Sequence, residues 1–186
     1  MGAGTTRLPA GATAVGKTAV MDAYEAIVGK RDTREFTGEA LSEDDLHRIL
    51  QAGRMAGSAK NSQLNRIVVV TDADDRARLA GCGKFSDWLG RAPVALVLVA
   101  PKDGNRPFDH GRMAQNMMVA AHALGLGSCP VTFHDPACVA ALLGIPDDYE
   151  APMGVGLGHP GPPGADRRTS SRIPLEELVT RDRWSR

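Results

Sequence analysis

A chain of 186 residues, 42% hydrophobic and 24% charged, has the composition of an ordinary globular protein and enough length to bury a core. Its 22 lysines and arginines balance its 22 aspartates and glutamates, so no net field draws it to nucleic acid or to an anionic membrane surface. The longest apolar run, Val94 to Ala100, is too short for a membrane span, and three cysteines without a CxxC pair or a signal peptide point to a reducing, cytoplasmic interior.

Residues 1–20 are rich in glycine, alanine and threonine with neither helical nor strand period, which predicts a disordered tail ahead of a single domain over residues 21–186. Within that tail, Gly11 to Thr18 fits the phosphate-loop pattern GxxxxGK[ST]. Thr5 to Ala10 is no buried hydrophobic strand, so the frame that aims such a loop at a phosphate is missing and the match is set aside. Tyr24, Ile27 and Val28 give the next segment a short helix with one apolar face, ended near Gly29. Ser42 followed by Asp45 is a capping box, and Leu46, Ile49, Leu50 and Gly53 continue at helical spacing to about Ala56. Ile67 to Thr71 reads as a buried strand, Asp72 to Gly81 as a solvated helix and Val94 to Ala100 as a further buried strand. Pro107 and Asp109 open a long helix lined by Met113, Met117, Ala120, Ala121 and Leu124 and stopped by Gly125. Val131 to Phe133 is a short strand, Asp135-Pro136 starts a helix through Leu143, and Met153 to Leu157 is the last core strand. Beyond a Pro/Gly-rich stretch and the basic pair Arg167 and Arg168, residues Pro174 to Val179 form a short amphipathic end. This pattern predicts an α+β protein with helices over one sheet.

Several groups of residues could carry chemistry. Lys30, Arg31 and Arg34 place three cations within five residues, a spacing suited to holding a phosphate by charge-assisted hydrogen bonds, or equally to a solvated helix end. Ser58-Ala59-Lys60-Asn61-Ser62-Gln63 is a run of small and amide side chains that lets backbone approach a flat polar ligand. Cys129, His134 and Cys138 lie close enough in sequence to suggest zinc, but no fourth ligand is near, and Cys138 reads as a small hydrophobe in a packed helix. No metal site and no cysteine nucleophile follow. His47 belongs on a solvated helix face, and His110, His122 and His159 receive no role. The Met113/Met117 stripe reads as core packing.

Taken in order, these pieces resemble the nitroreductase family. The resemblance runs from residue 21 to about 184 and includes Met21 to Ile27, Lys30 to Arg34, Ala56 to Gln63, Ala120 to Cys129, Gly156 to Pro160 and Arg172 to Leu178. It implies a central, mostly antiparallel sheet flanked by helices, with a C-terminal tail wrapping a partner subunit. The cofactor would be FMN, with NADH or NADPH as reductant and a nitroaromatic, quinone or similar small molecule as acceptor. By resemblance, Arg34 and Arg172 would hold the flavin phosphate, and Lys30, Arg31 and Asp32 would serve phosphate and ribityl oxygens. Cys129, Pro130, Val131 and Thr132 would offer backbone groups to the flavin edge, while Ser58, Asn61 and Gln63 would reach across from the other subunit of a homodimer. No catalytic side chain is implied. Two readings compete with this one: a flavin enzyme that oxidises a small organic substrate, and a non-catalytic protein that binds flavin or deazaflavin. Two departures stand out. Gln63 is followed by Leu64-Asn65-Arg66 where the family usually has Pro-Trp, and Gly57 stands where it commonly has proline.

Overall fold

The structure is a computed structural model, and it describes residues 21–104, 107–162 and 171–184. The phosphate-loop match and the expected disordered tail lie outside those residues, as do Arg167 and Arg168.

The first helix, α1 (Ala23–Gly29), is capped by the Asp22 carboxylate, which accepts the Tyr24 N–H at 2.9 Å. Only Ala26 of α1 is buried. The expected apolar face is therefore a finding against simple amphipathic packing, because Tyr24, Ile27 and Val28 are 72%, 59% and 47% exposed within this chain. Helix α2 (Glu43–Arg54) begins as the capping box predicts: Ser42 Oγ accepts the Asp45 N–H at 3.1 Å, and three acids occupy the first turn, where the helix dipole favours them. A 3-10 turn at Ala59–Asn61 leads to strand β1 (Arg66–Val70), and helix α3 (Ala73–Gly81) follows with Asp72 as its cap. β1 is half-buried rather than buried, since it forms an edge of the sheet.

Strand β2 (Val94–Pro101) sits inside the sheet and is buried as far as Ala100. Its apolar run has no alternation because both of its faces are covered. Ala95, Val97 and Val99 pack with Leu79, Trp88, Leu89 and Val139 on one face, whereas Val94, Leu96 and Leu98 pack with Ile49, Met117 and Ala121 on the other. Helix α4 (Pro107–Ala123) lies across α2 on the second face and contributes Ala114, Met117, Met118 and Ala121 to the core. The methionine stripe is core packing, as its spacing predicts. Gly53 is the point of closest approach: a Cβ there would stand 2.8 Å from Met117 Sδ.

Gly125 turns the chain at φ +78° into strand β3 (Gly127–Thr132), and helix α5 (Pro136–Leu143) and strand β4 (Tyr149–Gly158) complete the layer. The sheet order is β1-β2-β4-β3, with every pairing antiparallel. β3 begins four residues before its expected start at Val131. Gly127 and Pro130 disguise it in the sequence, but as an edge strand it tolerates a residue without an N–H. Helix α6 (Leu175–Leu178) then forms in the final described stretch, where Ile173, Leu175, Leu178 and Trp184 are all exposed.

One expectation is overturned. Cys82, the C-cap of α3, is joined to Cys138 in the first turn of α5 by a disulfide with Cα atoms 5.7 Å apart. Cys138 is thus no free packing thiol, and the cysteine argument for a reducing compartment falls away. No helix among the described residues is long and apolar enough to cross a membrane.

Candidate functional site

After α1 the backbone becomes extended at Lys30 and runs as a strap beside β3 and the end of β4. Asp32 bridges Ser128 in parallel fashion, and the Thr33 N–H donates to the Ser128 carbonyl at 2.9 Å. Further along, Phe36 bridges Pro160, and the Thr37 N–H donates to the His159 carbonyl at 3.0 Å. Gly127 and Gly158 make this approach possible: a Cβ at 127 would lie 3.0 Å from the Thr33 methyl, and one at 158 would lie 2.7 Å from the Phe36 ring.

The strap brings the cationic run onto β3. Lys30 Nζ pairs with the Asp32 carboxylate and also lies 3.4 Å from Met118 Sδ on α4, with only 8% of its side chain exposed. Its charge is held by packing and so needs little reorganisation to meet an anion. Arg31 folds back on the end of α1, donating to the carbonyls of Val28 at 2.7 Å and Lys30 at 2.8 Å. Arg34 lies beside the Cys129 thiol, which itself donates to the Pro130 carbonyl at 3.5 Å. Burial pushes the Cys129 thiol up, while Arg34 and Lys30 pull it back and Asp32 adds to the rise, so Cys129 is a protonated thiol at neutral pH. Beside them, the Ser128 hydroxyl is buried without a hydrogen-bond partner.

The outer edge of β3 carries the other half of this cradle. Because the Ser128 carbonyl points outward to Thr33, the two-residue period puts the Pro130 carbonyl and both backbone groups of Thr132 on the same edge. The same alternation turns the backbone groups of Cys129 and Val131 toward Gly156 and Gly154 of β4, so the backbone groups expected of these two do not lie on the open edge, and their side chains are buried as well. Two cations, Lys30 and Arg34, with an orphan hydroxyl and an open strand edge make a donor set suited to a phosphate-bearing ligand with a flat polar rim, which is the fit that FMN requires.

Ser58, Asn61 and Gln63 lie elsewhere. Ser58 Oγ accepts the Gln63 N–H at 3.0 Å, closing a loop in which Lys60, Asn61 and Gln63 all have positive φ, at 54°, 54° and 49°. Each such non-glycine residue carries ~1–3 kcal/mol of strain, which the surrounding contacts must offset. One of those contacts is the Ala59 N–H, which donates to the buried Asp109 carboxylate at 3.1 Å. This loop is therefore anchored at the start of α4, whereas Lys30 is anchored at Met118. At 1.5 Å per residue the two anchors stand ~14 Å apart along the helix axis. The structure unites Lys30, Asp32 and Arg34 with Ser128 and Cys129, but the loop from Ser58 to Gln63 belongs to a different place on the same chain. Arg172 is exposed in the segment ahead of α6.

Sequence reasoning missed the Arg34–Cys129 contact and the orphan Ser128 hydroxyl. Neither leaves a local signal, because strap and strand are distant in sequence. It did place His134 near two cysteines, but His134 Nδ1 accepts the Lys84 N–H at 3.3 Å and Cys138 is in the disulfide, so those groups are occupied otherwise.

A model of the nitroreductase family matches residues 27–82 and 80–159. A Thermus thermophilus protein named NADH dehydrogenase is 30% identical, with 86% of this chain and 96% of that protein covered. The NADPH-flavin oxidoreductase of Vibrio harveyi is 31% identical over 86% of this chain and 73% of its own length. The solved structure of the Vibrio harveyi NADPH:FMN oxidoreductase complexed with NAD+ matches with a TM-score of 0.78 at 27% identity, covering 88% of this chain and 78% of that one.

Proposed function

The chain belongs to the nitroreductase family, and from that premise we propose that it is an FMN-dependent oxidoreductase that takes hydride from NADH or NADPH and passes it to a nitroaromatic, quinone or similar small acceptor. The observation that carries this reading is the strap of Lys30 to Arg34 laid against β3, with its packed cation and the unpartnered Ser128 hydroxyl. FMN bound there supplies the hydride chemistry itself. The chain's own residues bind and orient. Lys30, Arg31 and Arg34 meet the phosphate and ribityl oxygens with Asp32 aligning Lys30, Arg172 adds a cation from the tail, and Pro130 and Thr132 present backbone groups to the ring edge. Cys129, being protonated, leaves the neighbouring cations free to serve an anion rather than a thiolate.

The assembly in this proposal is a homodimer with two shared sites. Its support is the ~14 Å that separates the two groups of site residues along α4, together with the apolar surface left open on α1 and in the segment around α6. Burying that surface against a second copy is worth ~25 cal/mol per Å². In each site, Ser58, Asn61 and Gln63 come from the second subunit, and the tail wraps the partner. The proposal also places the protein in the cytoplasm, where a reducing environment would challenge the Cys82–Cys138 bond.

The test is oxidation of NADH and NADPH by purified protein with and without added FMN, using menadione and a nitroarene as acceptors. The reading expects a yellow protein with about one FMN per subunit and acceptor-dependent turnover. Colourless protein that neither takes up FMN nor oxidises either dinucleotide would overturn it.

A further inference from the structure

Two adjoining pockets meet at Gly57. The first, of about 270 Å³, is lined by Arg54, Arg66 and Ser62 among others, and the second, of about 530 Å³, by Arg112 and Phe108. Gly57 is what lets Arg112 lie between them: a Cβ at position 57 would overlap its guanidinium, standing 3.0 Å from Cζ. Arg112 is further held over the Phe108 ring at 5.6 Å from the centroid. Among the described residues, none of the three arginines has a carboxylate within 4.0 Å. The Asp109 carboxylate also lines the first pocket, where the Ala59 N–H it accepts holds it in place as, among the described residues, the one anion beside these cations. Arg66 braces the loop by donating to the carbonyls of Gln63 at 2.7 Å and Asn65 at 2.9 Å, and Arg54 donates to Gln51 at 2.9 Å. The Ser62 hydroxyl is buried in the first pocket without a partner.

Concave surface, an excess of cations over the one carboxylate and an orphan hydroxyl call for an anion with several oxygens. From the functional reading above, on which this inference rests, we propose that the pockets at Gly57 receive the phosphates of the dinucleotide reductant and make the protein prefer NADPH to NADH. Charge decides between the two dinucleotides. The pyrophosphate common to both offers about two negative charges, and the additional phosphate of NADPH adds ~1.5–2 more. The three arginines, less the Asp109 carboxylate that lines the first pocket, leave the site net positive, so the additional phosphate of NADPH gains an attraction that NADH lacks. Position 57, where the family commonly carries proline, then acts as a specificity position: glycine admits Arg112 to the site.

The experiment titrates NADP+ and NAD+ into the full-length, FMN-loaded protein by calorimetry, alongside KM values for NADPH and NADH. Arg112→Ala, Arg54→Ala and Gly57→Ala are compared with wild type. All three side chains are exposed or absent, so the fold should survive, and Arg112→Lys serves as a conservative control that retains the charge. The inference expects wild type to favour NADP+, Arg112→Ala and Arg54→Ala each to weaken NADP+ about ten-fold or more, NAD+ to be weakened less, and Arg112→Lys to recover part of the loss. Gly57→Ala should behave like Arg112→Ala. Unchanged NADP+ affinity in both arginine variants would overturn it, as would a selective rise in KM for a nitrobenzoate acceptor with dinucleotide binding intact. If no FMN can be loaded, the same titration is run on the flavin-free protein: arginine-dependent NADP+ binding there would keep this inference and overturn the flavin reading alone.

Discussion

Arg34→Ala separates a phosphate ligand from a surface cation. Arg34 is exposed, so removing it should leave the unliganded fold and its melting temperature essentially unchanged. A charge-assisted hydrogen bond contributes ~1.5–3 kcal/mol, which at 1.4 kcal/mol per decade weakens FMN by ~10–150-fold. The loss also shows in stability. At a free FMN concentration one hundred times the wild-type Kd, wild type gains ~2.7 kcal/mol, while a variant bound a hundred-fold more weakly gains only ~0.4 kcal/mol. Flavin fluorescence titration of apoprotein and thermal melts with and without FMN measure both. FMN affinity within two-fold of wild type would refute the placement of Arg34 at the phosphate.

Three further outcomes follow from packing and titration. Cys82→Ser with Cys138→Ser should lower stability by ~4 kcal/mol in chain-entropy terms, since the bond closes a 56-residue separation; thiol counting in denaturant should find one free thiol before reduction and three after, and three without reduction would show that the bond is absent in the purified protein. Gly53→Val, which drives a side chain into Met117 where α2 crosses α4, should cost ~1–3 kcal/mol in urea denaturation, and a neutral result would mean that the helices are not packed this closely. Burial holds the His110 imidazole below its ordinary pKa, with Glu150 and Asp109 opposing that shift. The unfolded chain then binds the extra proton, so stability should fall as pH drops from about 7 toward 5, and His110→Gln should flatten that slope; a slope unchanged by the substitution would remove His110 as its cause.

What could be read from the sequence was local. Ser42 and Asp135 each cap a helix through a backbone N–H three residues on, so their contacts are written within a few letters. The Val94 strand announced burial on both faces by its unbroken apolar run. The start of β3 could not be read, because Gly127 to Pro130 has little strand propensity and is held by pairing with β4. Nor could the Cys82–Cys138 bond, which depends on α3 and α5 sharing one face of the sheet. Tyr24, Ile27 and Val28 show a different limit: their helical spacing is evident, but the surface that would cover them is not supplied by the chain around them. The site divides in the same way. The cations and the amide-rich loop are visible as residue types, while the strap, the Arg34–Cys129 contact and the left-handed backbone at Lys60, Asn61 and Gln63 exist only once the chain is folded.

The central claim is a flavin site composed of Lys30 to Arg34 from one subunit and Ser58 to Gln63 from its partner. Subunit complementation tests it most directly: Arg34→Ala and Asn61→Ala chains, each deficient in FMN alone, are unfolded together, refolded as a mixture and assayed for bound FMN by absorbance. Half of the dimers would be mixed, and each mixed dimer would hold one site free of both substitutions, so the account predicts recovery of about a quarter of the wild-type flavin content. A mixture that binds no more FMN than the two separate variants would place both groups of residues in one chain's site and contradict the account.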